Sequence, residues 1–224
     1  MMEFNLLWEM LTESRRRRFL KVLEERTRYI TVVLEDIFDP HNGSACLRSC
    51  EANGIQDIYI IERERPFTTK EGVSMGSGKW LTLHKFSNTQ QDPTVECLKV
   101  LSQKNYRIYG MSSYEISGKV NRSLQELSLS QPVALVFGSE RNGLSNVALE
   151  HINEFIQIPM YGFVESYNIS VACAIAVYTL VQNLRNTNYS WRLSKEEKQE
   201  VLWEWLKKEF PDHEKILKNQ IKSF

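Results

Sequence analysis

Near the start of the chain, Leu7, Met10, Leu11, Phe19, Leu20 and Leu23 recur at helical spacing and predict one amphipathic helix over residues 3–28. The pattern then shifts to short apolar runs. ITVVLEDI (30–37) and IQDIYIIE (55–62) are rich in β-branched residues and predict two buried strands. Between them, residues 42–53 predict a short helix, with Asn42 as its N-cap and Gly54 ending it in the left-handed conformation. Residues 63–92 are polar and glycine-bearing and predict a long loop that holds one short strand, WLTLHKF (80–86). Helix 93–105, strands 107–113 and 132–138, helix 144–151, strand 154–160 and a long, mostly apolar helix 168–186 follow. The remaining segment, 187–224, is a charged helical tail. Trp191, Leu202, Trp203, Trp205 and Leu206 form a stripe along it that reads as packing surface.

Strands that alternate with helices imply crossover connections, so the expected fold is α/β: a mainly parallel sheet with helices on both faces. Three regions are expected: a basic helical extension (1–28), a catalytic-sized α/β domain (29–186) and a C-terminal helical extension (187–224). In such sheets ligands gather at the carboxyl ends of the strands, and polar clusters there are the place to look for chemistry.

Composition narrows the class. With 42% hydrophobic and 25% charged residues in 224, the chain can bury a real core. No apolar run reaches 18 residues, so no membrane span is expected. The N-terminus places its basic cluster after its apolar residues, unlike a secretory signal. Four scattered cysteines, Cys46, Cys50, Cys97 and Cys173, suit a reducing, cytoplasmic setting, and Cys46 and Cys50 read as core thiols. Lysine plus arginine equals aspartate plus glutamate at 28 each, so any hold on nucleic acid must be local. It is concentrated at Arg15, Arg16, Arg17 and Arg18, four consecutive cations that repel one another unless something anionic faces them. A second run, Lys215, Lys218 and Lys222, reads as a solvated helix face.

Several chemistries are excluded. The four histidines form no HExxH and the cysteines no CxxC, so no metal is expected. GSGKW (76–80) has Val73 where a phosphate-binding loop needs its first glycine, and Trp80 where it needs serine or threonine. No GxGxxG and no GxSxG elbow directly follows a strand.

Three clusters remain, each at a strand-to-helix junction: DPHNGSACLRSCEANG (39–54), LVFGSERNGLS (135–145) and IPMYGFVESYNISVA (158–172). Singly, each has an ordinary structural reading: Asn42 and Asn168 as helix caps, Glu140 as a surface carboxylate, the glycines as turns. Jointly, and in this order, they resemble the three signature motifs of the SpoU-type RNA 2′-O-ribose methyltransferases. The terminal segments look like those of the bacterial branch that modifies guanosine-18 in the tRNA D-loop.

The resemblance implies a fold whose C-terminal part threads a loop as a deep trefoil knot, a rare exception to the rule against knots. It implies S-adenosylmethionine as methyl donor, lined by Ser112, Gly138, Ile158 and Tyr167, the last standing where the family usually has leucine. It places Asn42, Arg48, Glu140 and Asn168 at the family's functional positions, with Arg48 as the catalytic arginine. Because arginine is a poor base, the easier picture is that Arg48 grips a neighbouring phosphate and draws the hydroxyl proton into that network. It further implies a homodimer whose active site is completed across the interface, with helix 168–186 in that interface. Arg15–Arg18 then become the expected grip on the tRNA backbone. Two alternatives stay open: a ribosomal RNA substrate, and a silent knotted RNA-binding protein. Relatives acting on ribosomal RNA often carry a separate N-terminal RNA-binding domain, where this chain has room for a helix. A silent protein would be expected to lose the quartet, which is intact.

Overall fold

A computed structural model describes residues 2–70, 76–87, 91–214 and 217. In chain order the elements are α1 (Met2–Met10), α2 (Glu13–Leu23), β1 (Ile30–Glu35), α3 (Pro40–Ala52), β2 (Asp57–Glu62), β3 (Thr82–Ser87), α4 (Pro93–Gln103), β4 (Arg107–Met111), β5 (Val120–Ser123), β6 (Val133–Phe137), α5 (Asn146–His151), β7 (Glu154–Gln157), α6 (Ile169–Arg185) and α7 (Lys195–Glu209). They divide into two compact units, one built from residues 27–191 and one from residues 1–26 together with 192–224.

The larger unit holds one seven-stranded sheet, in the order β3-β2-β1-β6-β4-β7-β5, with every pairing parallel. Its central strands are buried on both faces, and their residues alternate between two cores. Ile30, Val32 and Leu34 of β1, Ile58 and Ile60 of β2, and Val133, Leu135 and Phe137 of β6 join the core that includes Cys46, Leu47 and Cys50 of α3 and Cys173, Val177 and Leu180 of α6. Val33, Tyr59, Ile61, Ala134 and Val136 point the other way, into the core with Cys97, Leu98 and Leu101 of α4 and Ala148 of α5. Helices therefore cover both faces, as the sequence pattern predicts. The four cysteines are free and buried. A hydrogen bond with Cys173, then burial, holds the Cys46 thiol well above its ordinary pKa, and burial does the same to Cys97.

β5 was not expected from the pattern. VNRS lies at the sheet edge and alternates exposed with half-covered positions, so no apolar run marks it. The start of α3 also differs. Its N-cap is Asp39, whose carboxylate accepts from the His41 amide at 2.8 Å, with Pro40 in the first turn. Proline there costs no backbone bond, so Asp-Pro starts the helix three residues before Asn42. Asn42 is thereby released from capping. Gly54 does close the helix region with φ +82°.

In the smaller unit, the single helix expected over 3–28 is two. The Thr12 hydroxyl accepts from the Arg15 amide and caps α2, breaking the run after Met10. Trp205 and Leu206 of α7 are buried, and Trp205 meets the Phe19 ring edge-on at 5.7 Å. The tail's stripe is thus packing surface, except that Trp191 belongs to the core of the larger unit. Arg15 forms a two-point ion pair with Glu209, and Arg16 donates to the Trp8 and Glu9 carbonyls and to the Glu9 carboxylate. Arg17 pairs with Glu13 one turn back, and Arg18 is exposed with no ion pair among the described residues. The basic run Lys215, Lys218, Lys222 lies outside the described residues.

Candidate active site

At the carboxyl ends of β4, β6 and β7, three loops surround a cleft of about 530 Å³, the position at which parallel α/β sheets bind ligands. The four residues expected to line a cofactor, Ser112, Gly138, Ile158 and Tyr167, all line it, together with Asn42, Glu140 and Asn168.

Each loop has a local cause. After β4, the Ser112 hydroxyl donates to the Tyr114 carbonyl at 2.6 Å and accepts from the Tyr114 amide, so it holds a tight turn. After β6, Ser139 and Gly143 exchange backbone hydrogen bonds of 2.9 Å in both directions, which closes a small ring of chain around Glu140, Arg141 and Asn142. This closure demands glycine at 138: a Cβ there would sit 2.1 Å from the Gly143 carbonyl carbon and 2.2 Å from the Leu144 nitrogen. Gly143 itself turns at φ +67°. The ring's far end is anchored by Glu35, buried at the end of β1, which accepts from the Ser145 amide, the Ser145 hydroxyl and the Thr94 hydroxyl. That set of donors is what lets a carboxylate be buried there.

The polar side chains at the cleft form a chain of hydrogen bonds. Asn168 caps α6, accepting from the Ser170 amide at 2.8 Å, and its amide donates to the Asn42 oxygen at 3.1 Å. Asn42 in turn donates to Glu140 at 2.8 Å. Glu140 also accepts from the Phe38 and Asp39 amides at 2.9 and 3.2 Å. Asn168 therefore both caps α6 and lines the cleft, and Asn42, freed from capping, joins residues 98 and 126 positions away.

Arg48 is not brought to this cleft. It lies six residues beyond Asn42, which on an α-helix is about 9 Å along the axis and two-thirds of a turn around it. Its exposed side chain, with no ion pair among the described residues, borders a shallow groove with Ala52, Ala174, Ile175 and Tyr178 between α3 and α6.

Among the lining residues that sequence reasoning missed are Met111, Phe137, Asn142 and Met160. Met111 and Phe137 are the last residues of β4 and β6, a position that could have identified them. The wall combines an apolar side (Met111, Phe137, Ile169, Ala172) with serine and asparagine side chains and loop backbone, in a volume suited to a nucleoside-sized ligand. That combination fits S-adenosylmethionine: an apolar surface for a purine, and polar groups for its ribose and amino-acid portion. No group of three or more metal-ligating side chains occurs among the described residues, and no described helix is long and apolar enough to cross a membrane.

Residues 29–178 match the model of the SpoU rRNA methylase family. The chain belongs to that family. Among SpoU relatives, the tRNA (guanosine(18)-2′-O)-methyltransferase of Borreliella burgdorferi is 37% identical over 86% of this chain and 84% of its own length. The crystal structure of the A. aeolicus TrmH/SpoU tRNA modifying enzyme superposes with a TM-score of 0.74 at 30% identity, covering 88% of this chain and 98% of that one. The SpoU methyltransferase AviRb from Streptomyces viridochromogenes, solved with the cofactor AdoMet, shares the fold at 18% identity and a TM-score of 0.59, covering 75% of this chain and 63% of that one.

Proposed function

We propose that this protein is an S-adenosylmethionine-dependent methyltransferase that methylates a ribose 2′-hydroxyl of tRNA, at guanosine-18 of the D-loop. The observation that carries the reading is the Asn168–Asn42–Glu140 chain at a cleft lined by Ser112, Gly138, Ile158 and Tyr167. The tRNA assignment, over ribosomal RNA, is supported by similarity to a tRNA guanosine-18 enzyme over 86% of this chain and 84% of that one.

S-adenosylmethionine, when bound, supplies an electrophilic methyl group on a positively charged sulfur. The protein's task is to place the attacking oxygen in line and to accept its proton. Asn42 and Asn168 fix the mouth of the cleft, and Glu140 holds the loop by accepting two backbone amides and Asn42 at once. Arg48 would grip the phosphate beside the reacting ribose, and the 2′-hydroxyl proton would pass to an oxygen of that charge-assisted network as the methyl group exchanges its bond to sulfur for one to the ribose oxygen.

Because Arg48 stands outside the cleft of its own chain, the complete site is a shared one: a homodimer in which Arg48 of one copy serves the cleft of the other. The groove beside Arg48 and the exposed Val171 and Tyr178 of α6 supply the contact face. Residues 29–186 form the methyltransferase domain, and its C-terminal part is knotted, a reading supported by β7 lying between β4 and β5 rather than at the sheet edge. The terminal helical extensions grip the tRNA backbone, chiefly through Arg17 and Arg18, with Arg15 and Arg16 braced behind them. Four buried free thiols fit a cytoplasmic setting.

The test is to incubate the full chain with labelled S-adenosylmethionine and unmodified tRNA transcript and to map the product. A 2′-O-methyl group on the D-loop guanosine is expected. Transfer to ribosomal RNA alone would overturn the tRNA assignment, and no transfer to either RNA would overturn the enzymatic reading.

A further inference from the structure

A second cleft, of about 400 Å³, lies on the other side of the 139–143 loop and shares Ser139, Arg141, Asn142 and Gly143 with the first. Its mouth carries Phe38, an aromatic residue 37% exposed, with the Arg141 guanidinium 4.0 Å and the Arg65 guanidinium 4.2 Å from its ring centroid. Two like charges are thus drawn to one small ring. Neither arginine has a carboxylate partner among the described residues.

The acidic groups of the wall are mostly engaged elsewhere. Glu35 is buried and bonded to Thr94 and Ser145. Asp36, in the left-handed region at φ +49°, accepts from the Arg63 and Glu64 amides at 2.7 and 3.1 Å. That contact pins the backbone that presents Arg65. Arg63 pairs with Asp92, and Glu64 is the remaining exposed carboxylate. A flat guanidinium resting on a ring keeps its N–H edge free, and that edge is the part that matches a phosphate. Phe38 is also fixed relative to the first cleft, because its own amide donates to Glu140 at 2.9 Å.

We infer that the second cleft is an RNA subsite, in which Arg65 and Arg141, propped by Phe38, clamp a backbone phosphate next to the ribose being methylated. The inference rests on the RNA methyltransferase reading above and adds a recognition element to it. Arg65 contacts the RNA; Phe38 is a positioning residue that keeps both guanidiniums extended. The contact is to backbone, so it sets register and carries no base preference.

The experiment measures equilibrium binding of tRNA transcript to the full chain over a salt series, S-adenosylmethionine binding by calorimetry, and methyl-transfer kinetics, for wild type, Arg65→Gln, Phe38→Ala and Phe38→Tyr. Arg65→Gln should weaken RNA binding about tenfold and lower the log–log salt slope by about one, with KM for RNA raised and cofactor affinity unchanged. Phe38→Ala should weaken binding in the same direction, and Phe38→Tyr, which keeps the ring, should restore it. Wild-type RNA affinity and slope in Arg65→Gln and Phe38→Ala would overturn the subsite. So would an equal loss of cofactor affinity, which would make both residues part of the first cleft. Since binding is read without turnover, a wild-type protein that methylates no RNA would sink the functional reading separately.

Discussion

Gly138→Ala should be far more damaging than alanine at the other glycines of the signature loops, for a reason worked from the backbone. The new methyl group would lie 2.1 Å from the Gly143 carbonyl carbon and 2.2 Å from both its oxygen and the Leu144 nitrogen. These are over an ångström inside van der Waals contact, against main chain that no side-chain rotation can relieve. The 139–143 ring must open, and both Ser139–Gly143 backbone bonds are lost. At about 1 kcal/mol each, plus residual strain, the cost is about 2–3 kcal/mol, a fall of roughly 5–10 °C in Tm. The cleft should lose cofactor affinity by at least about tenfold, because the same ring forms its wall. Gly143→Ala has open space around the new atom but inherits φ +67°, which costs about 1 kcal/mol. Gly162→Ala meets nothing within 4 Å and should stay within about 0.5 kcal/mol of wild type. Thermal unfolding and calorimetric titration with S-adenosylmethionine on the three variants give the ranking. A Gly138→Ala protein that melts with Gly162→Ala and binds cofactor normally would refute the reasoning.

Three further outcomes are expected. Arg48→Ala and Glu140→Ala should each be nearly inactive, and mixing them should restore about a quarter of wild-type turnover, since half the dimers are mixed and each has one complete site; no recovery after verified subunit exchange would place both residues in one chain's site. In the basic patch, Arg17→Gln with Arg18→Gln should flatten the salt dependence of tRNA binding. Arg15→Gln with Arg16→Gln should instead lower Tm, because their partners are Glu209, Glu9 and the Trp8 carbonyl; the opposite pattern would reverse these roles. Glu154 is held below the ordinary carboxylate range, first by two hydrogen bonds from Arg107 at 2.8 and 2.7 Å and further by Arg122. Its stabilising contribution is therefore complete above the ordinary carboxylate pKa and lost as pH falls through the lowered value. Glu154→Gln should cost about 1 kcal/mol at pH 7 and much less at pH 3, read from urea midpoints; a difference independent of pH would remove the ion pair as its cause.

Much of the fold and part of the site could be read from residues alone, and the division has a physical basis. Apolar runs marked the buried central strands, because a strand covered on both faces must be apolar throughout. The polar edge strand β5 carried no such mark. The three signature loops stood out because backbone demands there are local, with Gly138 before a closed ring and Asn168 before a helix, whereas the four cofactor-cleft positions came only with the family resemblance. Local chemistry also decided against Asn42 as a cap, although the Asp39-Pro40 pair that displaces it was in plain view.

Tertiary structure alone decided how these pieces meet. Asn42, Glu140 and Asn168 are joined only because parallel crossovers bring strand ends from distant parts of the chain to one edge of the sheet. The same geometry turns Arg48 away from them, since a helix cannot present residues six apart on one face. The arginine patch, uniform as a string, divides into braced and solvent-facing members once Glu209 and the Trp8 carbonyl are in place. Sequence carries the period of each element and the strain of each turn; which side chains share a site depends on contacts a hundred residues apart, and those exist only in the folded chain.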